Sequence, residues 1–204
     1  MARRTKEEAA ATRDSILDAA EQLFAEQGVS RTTLQNIATA AGVTRGAIYW
    51  HFDDKVALFN AMIERVITPL EAALVQLDHA GTADALLDLR EHMLAALRMA
   101  VGDPRARRVF EIACLKMEYV GELDAARVRR HQSLDEWITR SAARIRLAAE
   151  RGDLRAGVSP RVAALAMWSL VDGLIRSWLF DPAAFDLLEV GTQAIDAYIN
   201  GLRA

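Results

Sequence analysis

Thr44, Arg45, Gly46, Tyr49, His51 and Lys55 fall within a dozen residues of one another. Their combined chemistry suits a surface that reads a polyanion. An arginine fork can donate to guanine O6 and N7 together, which makes Arg45 the base reader of the set. Thr44 can reach a phosphate or a thymine methyl. Gly46 and Ala47 carry almost no side chain, so a helix bearing them can approach a groove floor closely. Tyr49, His51 and Lys55 suit phosphate contacts, which position a protein without specifying sequence. His51 reads equally as a neutral surface histidine. Phe52 reads as core, and Trp50 divides evenly between core and interface.

The stretch RTTLQNIATAAGVTRGAIYWHFDDK, from Arg31 to Lys55, supplies the elements that must position these groups. It predicts a first helix from Leu34 to Ala41, with Thr32 as its cap and Gln35 completing a capping box. Gly42 sits where the chain must reverse, a place that often needs positive φ. Thr44 caps the second helix. Ile37, Ala38, Ala41, Val43 and Ile48 have the spacing that packs two short helices together. Asp53 is the expected cap of the next helix, which leaves the Lys55 backbone N–H at a helix N-terminus that favours anions. Helix, tight turn and second helix is the layout that places a helix in the major groove of DNA.

IATAAGVTRGAIYWHFDDK resembles the DNA-binding signature of TetR-type transcriptional repressors, and the match extends from Thr33 to Lys55. The upstream RRTKEEAAATRDSILDAAEQLFAEQG resembles the first helix of that family. The pairing of RRTKEEA with GVTRGAIYWHF is most similar to the AcrR- and TtgR-like multidrug-efflux repressors. A helix-turn-helix pattern alone is a weak signal. The Tyr-Trp-His-Phe-x-x-Lys tail at the right place makes this one specific. The resemblance implies an N-terminal helix-turn-helix DNA-binding domain over residues 1–55 and a ligand-binding and dimerisation domain over 56–204. It also implies a phosphate contact for Thr33 and a place at the interface edge for Trp50.

The composition agrees with a globular chain and excludes several classes. About half of the residues are apolar, enough to bury a real core. Arg3, Arg4, Lys6, Glu7 and Glu8 stand where a secretory leader would need an apolar run, so none is expected. No apolar run approaches the roughly 20 residues that span a bilayer, so no membrane partner is expected. The single cysteine, Cys114, cannot form an internal disulfide, which fits a reducing cytoplasm. Net charge is −3 and does not announce nucleic-acid binding. Residues 1–55 hold seven Lys or Arg against eight Asp or Glu. The useful cations, Arg3, Arg4, Lys6, Arg31, Arg45 and Lys55, must therefore collect locally, while Asp14, Asp18, Glu21 and Glu26 face elsewhere.

The fold class is all-α, with about nine helices and no strand pattern. Thr5 and Glu8 form a capping box for the first helix, whose stripe is Ile16, Leu17, Ala20, Leu23 and Phe24, and Gly28 ends it. Pro69 lies inside the fourth helical pattern and should kink or split it. Gly81-Thr82 and Gly102-Asp103-Pro104 are breaks, and the helix after Pro104 is expected to reach roughly Tyr119. A long helix then runs to Gly152. Ser159-Pro160 opens another that ends near Leu179, and Asp186 with Glu189 caps the last.

Soft or polar residues recur within the apolar stripes of the second region. They are His92 with Met93, Phe110 with Cys114, Trp137 with Ser141, and Trp168, Val171 and Asp172 with Ile175. Val66 and Ile67 continue the fourth helix toward them. Facing helices of this kind can enclose a ligand pocket, and plain core packing is the competing reading for most of these positions. Asp172 is the most pointed, because a carboxylate in MWSLVDGLIRSWLF needs a partner. It lines a ligand site, pairs with Arg176 or faces solvent. By resemblance, the aspartate of VDGLI lines the drug pocket. Positions 110 and 114 also line it, and Phe110 and Cys114 make it more apolar than in relatives.

Trp178, Phe180, Leu187, Leu188, Ile195, Tyr198 and Leu202 exceed what one helical layer buries. In the family the last two helices form a four-helix bundle between subunits, and a homodimer matches palindromic operator DNA. The runs Arg105-Arg107-Arg108 and Arg127-Arg129-Arg130 read as solvated faces paired with Glu111, Glu122 and Asp124. The chain has no HExxH, Cys pair, GxSxG or phosphate-binding glycine loop, so neither an enzyme nor a cofactor is expected. The expected function is repression released by a small hydrophobic or drug-like effector, with an efflux operon as the target by resemblance. The alternative is a structural or nucleoid-associated DNA-binding protein of the same fold without an effector.

Overall fold

The computed structural model of the chain describes residues 6–80, 84–119 and 121–204. Arg3, Arg4, the Thr5 cap and the Gly81-Thr82 break lie outside the described residues. Nine α-helices and one short 3-10 turn, Gly121–Leu123, account for most of the described chain. The residues form two compact units, 1–66 with 108–129 and 67–107 with 130–204. Along the fourth helix the first unit ends at Val66.

In the first unit, α1 spans Lys6–Gln27 and buries Ile16, Leu17, Ala20 and Phe24 on one face. These positions repeat at helical spacing, so a single face of α1 is dry. Gly28 ends it at φ 84°, with its N–H bonded to the Phe24 carbonyl at 3.0 Å. Two short helices follow, α2 at Leu34–Ala40 and α3 at Arg45–His51. Gly42 joins them at φ 67°, the left-handed backbone expected of the turn. The fourth helix, α4, runs Lys55–Ala80 and passes through Pro69 without splitting. Phe59 of α4 meets Phe24 of α1 with ring centroids 6.3 Å apart. α6 spans Pro104–Leu115 and is shorter than expected, ending before Lys116. Asp103 caps it by accepting from the Arg105 and Ala106 N–H groups at 2.8 and 3.2 Å.

The second unit is built on α5 (Ala85–Gly102), α7 (Asp124–Arg151) from Arg130 onward, α8 (Pro160–Phe180) and α9 (Leu187–Leu202). α5 packs most extensively on α9. Gly191 makes that approach possible, since a Cβ there would lie 2.2 Å from Leu97 Cδ1. The Tyr198 hydroxyl of α9 donates to the Ala163 carbonyl of α8 at 2.9 Å. Arg90 of α5 grips both carboxylate oxygens of Asp196 on α9, and a buried Arg144 on α7 pairs with Asp88 on α5. The chain end is tied down as well. Leu154 and Arg203 form an antiparallel bridge, Arg155 N–H donates to Leu202 O at 2.8 Å, and Ala204 N–H donates to Asp153 O at 3.0 Å.

α8 departs from one expectation. By length and composition it is apolar enough to cross a membrane, although only a third of its most apolar stretch is buried. The reason is that it carries two apolar faces. One holds Ala163, Ala164, Met167, Ile175, Trp178 and Leu179 inside the unit, and the other leaves Val162, Leu165 and Phe180 exposed.

Candidate nucleic-acid interface and effector site

The helix-turn-helix is capped one residue later than sequence spacing suggested. Thr33, not Thr32, caps α2, and Asn36 rather than Gln35 completes the capping box. Thr32 is buried, and its hydroxyl donates to the Gly28 carbonyl at 2.7 Å. This shift has a consequence for Thr33. Its hydroxyl donates to Asn36 Oδ1 at 2.6 Å and accepts from Asn36 N–H at 3.1 Å. The proton expected on a phosphate is thus already engaged within the motif. Thr44 caps α3 by accepting from Ala47 N–H at 3.2 Å, which leaves its own proton available to donate outward.

α3 turns Ile48 inward and presents Arg45, Gly46, Tyr49 and Trp50 to solvent. A Cβ at Gly46 would meet only Thr44 Oγ1, at 3.8 Å, so this side of the helix is open. Trp50 is 71% exposed, which removes the core reading, and it meets His51 edge-on at 4.5 Å. Phe52 is buried as expected, with the Arg13 guanidinium 5.1 Å above its ring. Arg45 lies along Tyr49: its Nη2 donates to the phenol oxygen at 2.8 Å, and its Cζ is 5.4 Å from the ring centroid.

Lys55, expected at a phosphate, is only 7% exposed. Its Nζ donates inward to the Ser30 and Thr32 carbonyls at 3.3 and 3.1 Å. It fixes the loop between α1 and α2, where carbonyls would otherwise lack donors. Asp54, not Asp53, accepts the Ala57 N–H at 2.7 Å at the start of α4. Two of the acids of α1 are engaged by other helices. Asp18 and Glu21 hold Arg65, and Glu21 also accepts from Arg108 at 3.1 Å.

The residues expected to bind an effector divide between the two units. Val66, Phe110 and Cys114 belong to the first unit, whereas Ile67 and the others belong to the second. Within the second unit, the structure brings together His92, Trp137 and Trp168. Trp137 Nε1–H donates to His92 Nε2 at 3.3 Å, and the two indoles meet at 5.4 Å. Burial holds the His92 imidazole below its ordinary pKa, so it is neutral and accepts through Nε2. Ser141, one turn further along α7 than Trp137, is fully buried, and its hydroxyl meets no hydrogen-bond partner among the described residues. Met93 and Ile175 are buried, and Val171 is half-buried.

Among the described residues Asp172 is not paired with Arg176, and its side chain is 31% exposed. Arg130 of α7 donates to its carboxylate at 3.1 Å, a pairing 42 residues apart that no local spacing signals. The basic runs are likewise partnered at long range. Arg127 pairs with Asp124 as expected, but Arg129 reaches Glu64 and Arg108 reaches Glu21. Arg107 lies over the Trp178 ring, 4.6 Å from its centroid.

The comparisons with known proteins agree with this geometry. Residues 16–62 match the family described as bacterial regulatory proteins of the tetR family, and residues 84–204 match the C-terminal region of MAATS-type transcriptional repressors. The chain is 39% identical over 202 residues to the transcriptional repressor BepR of Brucella suis, covering 99% of this chain and 97% of that protein. The crystal structure of NalD superposes with a TM-score of 0.88 at 36% identity, over 97% of this chain and 98% of that one. NalD is described as the secondary repressor of the MexAB-OprM multidrug efflux pump in Pseudomonas aeruginosa. SmeT, from Stenotrophomonas maltophilia, in complex with triclosan gives a TM-score of 0.86 at 32% identity, over 95% of this chain and 92% of that one. With a helix-turn-helix whose second helix is exposed and a separate helical unit matched through its last residue, the chain belongs to the TetR family of transcriptional repressors.

Proposed function

We propose that the protein is a cytoplasmic homodimer that represses a multidrug-efflux operon and leaves its palindromic operator when a small hydrophobic effector binds. The observation that carries the DNA-binding part is the outer face of α3, where Arg45, Tyr49 and Trp50 stand exposed beside a side-chain-free Gly46. In this reading Arg45 contacts a base edge, Thr44 and His51 contact phosphates, and Trp50 flanks them. In this reading Thr33 caps α2 at the surface, and the buried Lys55 holds the loop between α1 and α2.

The effector part rests on the second unit. His92, Trp137 and Trp168 form an aromatic cluster, Ser141 offers a buried hydroxyl, and the Asp172–Arg130 pair adds one polar point. Apolar walls with a few fixed polar groups are the ordinary make-up of a small-molecule site. SmeT, seen with triclosan, and NalD, a pump repressor, support a drug-like effector and an efflux target. The effector signal passes along α4, one of the helices that both units share. The exposed apolar face of α8, with Phe180 82% exposed, supports dimerisation through α8 and α9. Two α3 helices placed roughly 34–36 Å apart would then enter successive major grooves.

A thermal-shift series with triclosan, dyes and fatty acyl compounds, followed by operator release, tests the reading. A binder raises the melting temperature by mass action and lowers operator affinity. A ligand that stabilises the protein without weakening DNA binding would refute induction. A chain that stays monomeric at micromolar concentration, with Phe180→Asp unchanged in mass, would refute the dimer.

A further inference from the structure

We infer that Tyr49 is a positioning residue for base reading: its phenol fixes the Arg45 guanidinium on the exposed face of α3, so the two residues read one base pair as a unit. The inference rests on the base-reading role proposed for Arg45. Residues four apart on a helix are neighbours on one face, and the later side chain leans back over the earlier one. Tyr49 therefore lies across the path of Arg45. It holds the guanidinium twice, through the 2.8 Å hydrogen bond to its hydroxyl and through its ring face at 5.4 Å.

The remaining geometry leaves the fork free for DNA. Nη2 carries two hydrogens, and Tyr49 takes one. The other, with those of Nη1, still presents the paired donors that match guanine O6 and N7. Among the described residues no carboxylate is paired with Arg45, so its charge is not committed elsewhere. Gly46 leaves the adjoining surface open, and Trp50 packs against His51 rather than across the guanidinium. A long, flexible arginine loses much freedom when it docks. One already held by a rigid ring loses less and tolerates fewer alternative bases. A Tyr49 that merely touched a phosphate would weaken every sequence alike.

The test begins by selecting the preferred duplex of the wild-type full chain from a randomised duplex library. Affinities are then measured for that duplex and for each of its single base-pair substitutions, with wild type, Arg45→Ala, Tyr49→Phe and the double variant. Arg45→Ala is expected to flatten the preference at one position per half-site by about 5- to 150-fold. Tyr49→Phe keeps the ring and should flatten the same position by about 2- to 12-fold, leaving other positions unchanged. The double variant should discriminate no worse than Arg45→Ala alone. Both side chains are exposed, and a melting curve confirms that each variant folds. A uniform loss for Tyr49→Phe, an unchanged profile, or flattening at a different position would each overturn the inference while leaving the role of Arg45 standing. An Arg45→Ala profile with every preference intact would overturn that role, and the inference with it.

Discussion

Glu21 and Arg65 join α1 to α4 through a 2.9 Å ion pair in which the carboxylate is only 2% exposed. The same carboxylate accepts from Arg108 of α6, so one buried anion serves cations from two other helices. Such an anion stabilises the fold only while its partners remain, and a buried pair with one member removed is costly. Glu21→Ala leaves Arg65 with Asp18 alone and should destabilise the fold by about 1–3 kcal/mol, discounted because the arginines are partly solvated. Urea denaturation measures it. A midpoint equal to wild type would show that the node contributes nothing.

Lys55→Met keeps the aliphatic stem and removes the donors to the Ser30 and Thr32 carbonyls. Hydrogen bonds from a charged donor contribute about 1.5–3 kcal/mol each, less here because one of the two is long. The variant should melt several degrees lower. Its DNA binding should weaken through loss of the ordered loop, and the salt dependence of the remaining binding should stay the same. A shallower salt slope at unchanged stability would return Lys55 to the phosphate backbone.

Gly191→Ala places a methyl where Leu97 Cδ1 now sits, at 2.2 Å. Alanine gains about 0.5–1 kcal/mol in helix propensity, but overpacking a buried contact costs about 1–3 kcal/mol. The net expectation is destabilisation, because Leu97 is fully buried where α5 meets α9. Leu97→Val in the same chain should restore part of the loss. Equal stability of Gly191→Ala and wild type would mean that Leu97 moves aside freely.

His92 predicts a pH dependence of defined sign. Its pKa is lowered in the fold by burial, so the unfolded chain takes up a proton first as pH falls. Stability is intact above the ordinary histidine value near 6.5. It declines as pH drops below that value, by at most about 1.4 kcal/mol per pH unit, and levels off below the folded pKa. Protonation would also set an N–H against the Trp137 donor. Denaturation of wild type and His92→Gln between pH 7.5 and 5.5 isolates this contribution. Parallel curves for the two proteins would remove it.

Local features were the part of this structure legible in the sequence. The Gly28 and Gly42 turns, the Thr44, Asp103 and Asp186 caps and the Pro160 helix start all follow from residues within four of one another. Thr32 and Thr33 show where that reading stops. Both fit a capping pattern, and only the burial of Thr32 against Gly28 decides between them. Lys55, Asp172 and Arg129 have partners 23, 42 and 65 residues away, chosen by how helices pack rather than by spacing. The exposed face of α3 was readable because its motif is contiguous. The cluster of His92, Trp137 and Trp168 was readable only as separate stripes, since their meeting depends on three helices.

The ties between Asp153–Arg155 and Leu202–Ala204 give the chain end an unusual place in the hierarchy of local opening. Terminal residues ordinarily fray and exchange their amide hydrogens within the dead time of an experiment. Here the Arg155 and Ala204 amides each donate across this junction, and Arg203 pairs with Asp84 just before α5 at 2.7 Å. In deuterated water those amides should lose their protons only when α9 detaches, so exchange at this junction would report the release of that one helix.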